Sequence, residues 1–436
     1  MPSVHRRIAL GVTAAGLATA VLAGCSSSGG SSSQSSASGP VKLTYWAWAP
    51  NLDQVVALWN KSHPNIQVTV EKQASGDDLL TKVITASKAG GAPDLVQAEY
   101  QAIPTLVSNN VLADISKYAG AATTDFASGI WKQVTLGTQA VYAIPQDSGP
   151  LMFYYRKDLF QKYNLTVPAT WDQFAADAKK LRQEDSSKYL TTFSSNDGGL
   201  FAGLAQQAGA KWWTTDGSTW KVSVNDAATQ KVASFWGDLV KQGAIDNQPM
   251  YTPAWAKALA TGQEIAWVSA VWAPGVLSSV APATKGQWAM APLPQWSAGQ
   301  NATGSWGGSS TAVTNDSKHQ QAAAQFATWL NTDPTAVAAL VKDASIYPAA
   351  TSAQTSGALT SQDFFPNQPD FYATAAKIAQ TAAPAYWGPN VNTAYSAFKD
   401  DFGKAAQNKS DFTAALNGMQ QATLSDMQKS GFKVTG

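Results

Sequence analysis

A single cysteine, Cys25, stands in 436 residues, so no internal disulfide can brace the fold and no cysteine-rich metal site can form. Histidine is almost as scarce. Beyond the first residues only His63 and His319 remain, and no His/Cys cluster has metal-ligand spacing. Charge is sparse and balanced: Lys and Arg total 30 against 29 Asp and Glu, 14% of the chain. That leaves no basic stripe for nucleic acid and no polybasic patch for a membrane surface. Long apolar runs are missing as well, since the stretch 8–21 falls short of the ~20 residues of a membrane span. There is no G-x-S-x-G elbow and no Walker loop. Gly307-Gly308 follows Trp306 without the lysine a phosphate cradle needs, and no motif singles out a pair of carboxylates for glycoside hydrolysis. No catalytic set is legible, and no cofactor or metal is expected.

What is plentiful lies at the start of the chain and in its aromatics. His5, Arg6 and Arg7 give a positive beginning, and a short apolar core follows. Leu22-Ala23-Gly24-Cys25 then looks like a bacterial lipobox, in which the cysteine is acylated and the chain is cut before it. Residues 1–24 are expected to be a lipoprotein signal peptide, with lipidated Cys25 anchoring an exported protein to the outer face of the bacterial cytoplasmic membrane. Residues 26–40, almost entirely Ser and Gly, cannot bury apolar surface and read with Cys25 as a flexible tether. The 17 Trp and 13 Tyr set against so little charge suit a neutral, polyhydroxylated ligand. An indole face packs on sugar C–H groups while its N–H donates.

Past the tether, residues 42–48 read as a strand, and Leu52, Val55, Val56 and Trp59 recur at helical spacing. Ile66, Val68 and Val70 alternate as a second strand, 77–89 is an amphipathic helix, and 93–96 begins a third strand. This alternation predicts a parallel sheet covered by helices, with ligands beyond the carboxyl ends of its strands. Strands are also expected over 141–145, 151–155, 264–270 and 287–291. A helix over 171–182 is capped by Thr170, and Asp216-Gly217 marks a hairpin. The chain from 318 onward is mostly helical.

In order, residues 43–48 (Leu-Thr-Tyr-Trp-Ala-Trp), 58–66, 93–96 (Pro-Asp-Leu-Val), Ile144-Pro145, 151–160 and 167–171 resemble the family 1 extracellular solute-binding proteins, the maltose-binding-protein group. The resemblance spans essentially 41–436. It implies an α/β, two-lobed periplasmic-binding-protein fold of type II, with hinge strands between the lobes and a ligand cleft at their interface. One lobe would comprise 41–146 plus 305–346, the other 147–304 plus 347–436. It also implies a monomer that closes on a sugar or oligosaccharide and delivers it to the permease subunits of an ABC importer. A binder of another small solute (peptide or polyamine), a secreted carbohydrate-active enzyme and an adhesion module are the alternatives.

Trp46 and Trp48 share a face of the first strand, with Trp48 nearer the cleft end. Glu99, Tyr100 and Gln101 follow the third strand at the same edge. By the resemblance Asp147 falls where the family's chain first crosses between lobes, and its carboxylate can accept two hydroxyl hydrogens at once. Asn196-Asp197 forms a comparable loop. The resemblance adds Trp272 as a stacking platform, Trp306 on a glycine-rich hinge strand, and Trp387 on the second lobe. For each aromatic, core packing is the competing reading, and one of Trp212 and Trp213 is expected to be structural.

Overall fold

The computed structural model describes residues 39–436 except residues 75, 345, 356, 358, 360 and 361. The expected signal, Cys25 and the tether up to residue 38 lie outside the described residues. The strands in chain order are β1 (Val41–Ala47), β2 (Ile66–Lys72), β3 (Leu95–Glu99), β4 (Ala143–Pro145), β5 (Leu151–Arg156), β6 (Trp213–Asp216), β7 (Thr219–Val222), β8 (Ala266–Ala270), β9 (Trp288–Ala291), β10 (Ser309–Val313) and β11 (Val434–Thr435).

Alternation decides the first sheet. Leu43, Tyr45 and Ala47 of β1 point into a core, while helix Leu52–Ser62 buries Leu52, Val55, Val56 and Trp59 at helical spacing. The order is β2-β1-β3-β10-β4, with β1 parallel to β2 and β3. β10, however, runs antiparallel to both β3 and β4, where the sequence pattern suggests only parallel strands. The reason is its origin: it enters at Ser309, opposite Glu99 at the end of β3, so it can only run back across the sheet. His63 is consumed by packing, stacked on Trp59 with ring centroids 3.5 Å apart.

The second lobe is built on the antiparallel sheet β8-β5-β9 and the hairpin β6–β7, onto which β11 docks in parallel. Asp216 pairs with Thr219, so the hairpin turns on Gly217-Ser218 with Gly217 at φ 56. Thr170 caps helix Trp171–Glu184 by accepting the Gln173 N–H at 3.2 Å. Helices Val391–Asn408 and Phe412–Lys429 pack together and supply Phe398, Phe402 and Phe412 to the second core.

The first core draws on 43–144 and 312–353, the second on 151–306 and 347–427. Trp306, expected in the first lobe's segment, packs in the second core, while Ala349, Ala350 and Ala353 pack in the first. The chain changes lobe within these stretches. Three segments run side by side there, with isolated bridges from Asp147 to Pro348 and from Pro150 to Ser305. The Trp306 N–H donates to Gly149 O at 2.8 Å, and the Ser148 N–H to Tyr347 O at 3.1 Å. Gly149 must be glycine, because a Cβ there would overlap the Trp306 carbonyl oxygen.

Candidate ligand-binding cleft

Beyond the end of β3 a cavity of about 620 Å³ opens between elements of both lobes. The first lobe contributes Gly76, Asp78, Glu99 and Gln101; the second contributes 196–199, Trp387, Tyr395, Ser396 and Lys399; the crossing strand adds Ser305, Trp306 and Gly307. Six of the sequence-predicted residues therefore line one space: Glu99, Gln101, Asn196, Asp197, Trp306 and Trp387.

Asp197 ends an irregular stretch and caps helix Gly198–Gln207, accepting the Leu200 N–H at 3.1 Å. The Gly199 N–H and the Trp306 indole also donate to its carboxylate, yet desolvation outweighs all three and its pKa is pushed up to about 6. Gly199 lets this arrangement close up. A Cβ there would lie 2.9 Å from Trp306 Cδ1 and 3.2 Å from Asp197 Oδ1. Asn196 is pinned by donating to Met250 O at 3.1 Å. Gln101 donates to Glu99 Oε2 at 2.7 Å, which fixes the carboxylate on the opposite wall. Trp387 reaches across the lobes, its indole N–H donating to Gln133 Oε1 at 2.9 Å.

The other predicted residues are placed differently. Trp272 stands behind Trp306, edge to face at 4.7 Å, and its indole N–H donates to Trp306 O at 3.2 Å. It orients the lining tryptophan. Trp48 packs among Leu79, Leu80, Val83 and Glu99 in a small adjoining space. Trp46 is corrected away from the cleft: its register opposite Glu71 lets the indole N–H donate to Glu71 Oε2 at 2.8 Å, under the Lys82 ammonium at 4.4 Å. Tyr100 is buried and its hydroxyl donates to Asp147 O at 2.7 Å, so it does not offer a stacking face. Asp147 turns its carboxylate onto the Ser309 N–H, where burial raises its pKa; this carboxylate holds the crossing together rather than lining the cavity. Trp212 is core, its N–H donating to Thr229 Oγ1 at 2.8 Å.

Sequence reasoning missed Tyr251, Tyr395 and Lys399. Tyr251 is exposed yet held in the left-handed region at φ 62, with its ring 6.4 Å from Trp306 and its hydroxyl pKa raised by desolvation and by the Asp197 charge. No local pattern marks it. Tyr395 and Lys399 occupy the face of helix Val391–Asn408 left over once Val391, Ala394, Phe398 and Phe402 are buried. That periodicity was a readable signal, but not what the remaining face looks at. Among the described residues, no group of three or more His, Cys, Asp or Glu side chains could hold a metal ion.

Residues 45–337 match the family model described as bacterial extracellular solute-binding protein. An arabinooligosaccharide-binding protein of Bacillus subtilis (strain 168) is 24% identical over 327 residues, covering 71% of this chain and 72% of that one. A lactose-binding protein of Rhizobium radiobacter is 26% identical over 309 residues, covering 65% and 69%. Among solved structures, the galacto-N-biose-/lacto-N-biose I-binding protein of the ABC transporter from Bifidobacterium longum, in complex with lacto-N-biose, superposes with a TM-score of 0.80 at 28% identity, over 91% of this chain and 99% of that one.

Proposed function

Because the chain belongs to the bacterial extracellular solute-binding protein family and has its two-lobed α/β fold, we propose that it captures a neutral sugar or oligosaccharide for an ABC importer. The observation that carries this reading is the cavity itself. It brings the indoles of Trp306 and Trp387 together with the carboxyl, amide and hydroxyl groups of Glu99, Gln101, Asp197 and Tyr395. Rings cover the apolar faces of a sugar, and the polar groups exchange hydrogen bonds with its hydroxyls. The saccharides named for the relatives are of this neutral class.

In this reading one lobe is organised on the core drawn from 43–144 and 312–353 and the other on the core drawn from 151–306 and 347–427, and ligand favours the closed form because only there do both walls touch it. The closed protein, a monomer without catalytic activity, presents the sugar to the permease. Cys25 carries the lipid that keeps it at the membrane.

Calorimetric titration against a panel of disaccharides, oligosaccharides, peptides and polyamines tests the ligand class. A saccharide is expected to bind with an unchanged product after prolonged incubation. Binding of a peptide alone, or turnover of the saccharide, would overturn the reading. Radiolabelled fatty acid should enter the wild-type protein and not Cys25→Ala; equal labelling of both would remove the anchor.

A further inference from the structure

A second cavity, of about 340 Å³, shares Trp387 with the cleft and falls in the range of small-molecule pockets, about 300–1,000 Å³. Its first-lobe wall is the end of helix Ser128–Thr135 with Lys132 and Gln133, closed by the left-handed pair Leu136-Gly137. Its second-lobe wall is the hairpin β6–β7 and the 384–387 segment. On the hairpin Trp213 pairs with Val222 and Thr215 with Trp220, so Trp213, Thr215 and Trp220 share one face. Trp213 is wedged against Gly388, where any Cβ would overlap its ring, and the Trp220 N–H is held by Lys433 O at 2.8 Å. Trp213 is buried in the second core, so Trp220, Tyr386 and Trp387 are the three partly exposed rings of the space.

The polar side chains beside these rings are Lys132, Gln133 and Thr215, and among the described residues no carboxylate lines the space. A cationic guest therefore finds no counter-charge there, whereas ring faces opposite hydroxyl, amide and ammonium donors fit a polyhydroxylated one. Trp387 borders both cavities and is tied to Gln133, so the two spaces meet at one aromatic wall anchored in both lobes.

We propose that this groove is an extension subsite that takes the distal units of a neutral oligosaccharide whose leading units occupy the cleft. The proposal rests on the sugar-binding reading above. It assigns Trp220 and Thr215 to ligand length and leaves Trp306 to ligand capture.

The test is isothermal titration with β-1,6-galacto-, malto- and arabino-oligosaccharides, each from disaccharide to hexasaccharide. Trp220→Ala should weaken hexasaccharide binding about tenfold, the scale of one lost stacking contact, and leave the disaccharide unchanged. Thr215→Trp, at an exposed position, should fill the groove with the same length-selective effect and an unchanged melting temperature. Trp306→Ala should weaken every length. Wild-type affinity that does not grow with length, or variants that affect all lengths equally or none, overturns the groove while leaving the cleft reading intact. Failure of every saccharide to bind wild-type protein overturns both.

Discussion

At the scale of single residues, the cleft holds one carboxyl whose protonation is linked to folding. Asp197 has a native pKa of about 6 against an ordinary value of 3.8, so the native state binds this proton more tightly than the unfolded chain does. Its contribution to stability therefore rises as pH falls from about 6 toward the ordinary carboxylate range, and is absent at pH well above 6. Asp197→Asn keeps an acceptor for the Leu200 N–H but cannot titrate. Thermal melts across pH should show the Asn variant at its greatest advantage over wild type near neutrality, with the gap closing as pH falls. A gap independent of pH would mean that the carboxyl titrates normally. The same residue marks how far the sequence could be read. Asp197 announced itself as a polar residue in a loop after an apolar run, but its burial beside Trp306, more than a hundred positions away, is a matter of tertiary packing. Trp46 misled for the complementary reason: a strand shows which face a side chain takes, not which neighbouring strand carries a carboxylate for its N–H.

At the scale of elements, helix Gly198–Gln207 lies on the crossing strand with backbone against backbone. A Cβ on Gly203 would meet Ser305 O at 2.7 Å, and one on Gly304 would overlap the Gly203 carbonyl. Because the obstruction is main chain rather than a rotatable side chain, the strain cannot be relieved locally. Gly304→Ala should cost at least about 3 kcal/mol of stability in denaturant melts, at the upper end of ordinary overpacking. Gly275→Ala, with open space at its Cβ, serves as the neutral control. An unaffected Gly304→Ala would show that the helix and strand are free to separate. Elements were the most legible level. The helix at 171, its threonine cap, the hairpin at 216 and the parallel run of the first three strands all follow from period and turn chemistry. The reversed direction of β10 does not, since it depends on where the chain re-enters the sheet. The glycines at 203 and 304 likewise look like ordinary punctuation until the two segments are brought together.

At the scale of the whole molecule, two separate cores are joined by three adjacent segments and touch again away from them. Thr105 Oγ1 donates to Pro389 O at 2.9 Å, and the Trp387 indole donates to Gln133 Oε1 at 2.9 Å. Both bonds run between elements packed on different cores, so in the closing motion proposed above they would break on opening and re-form on closing. Thr105→Ala deletes one part-buried hydroxyl on helix Ile103–Ser108. A neutral hydrogen bond of this kind contributes about 1 kcal/mol, which is about fivefold in an equilibrium or a rate. If these contacts help to hold the closed form, their loss falls on the residence time of the bound sugar, because association begins from the open form. Thr105→Ala is therefore expected to speed saccharide dissociation by about fivefold in stopped-flow measurements, while the association rate and the melting temperature of the ligand-free protein stay the same. A change in association alone would place the contact outside the closing motion, and a lowered ligand-free melting temperature would make it part of a lobe's own fold.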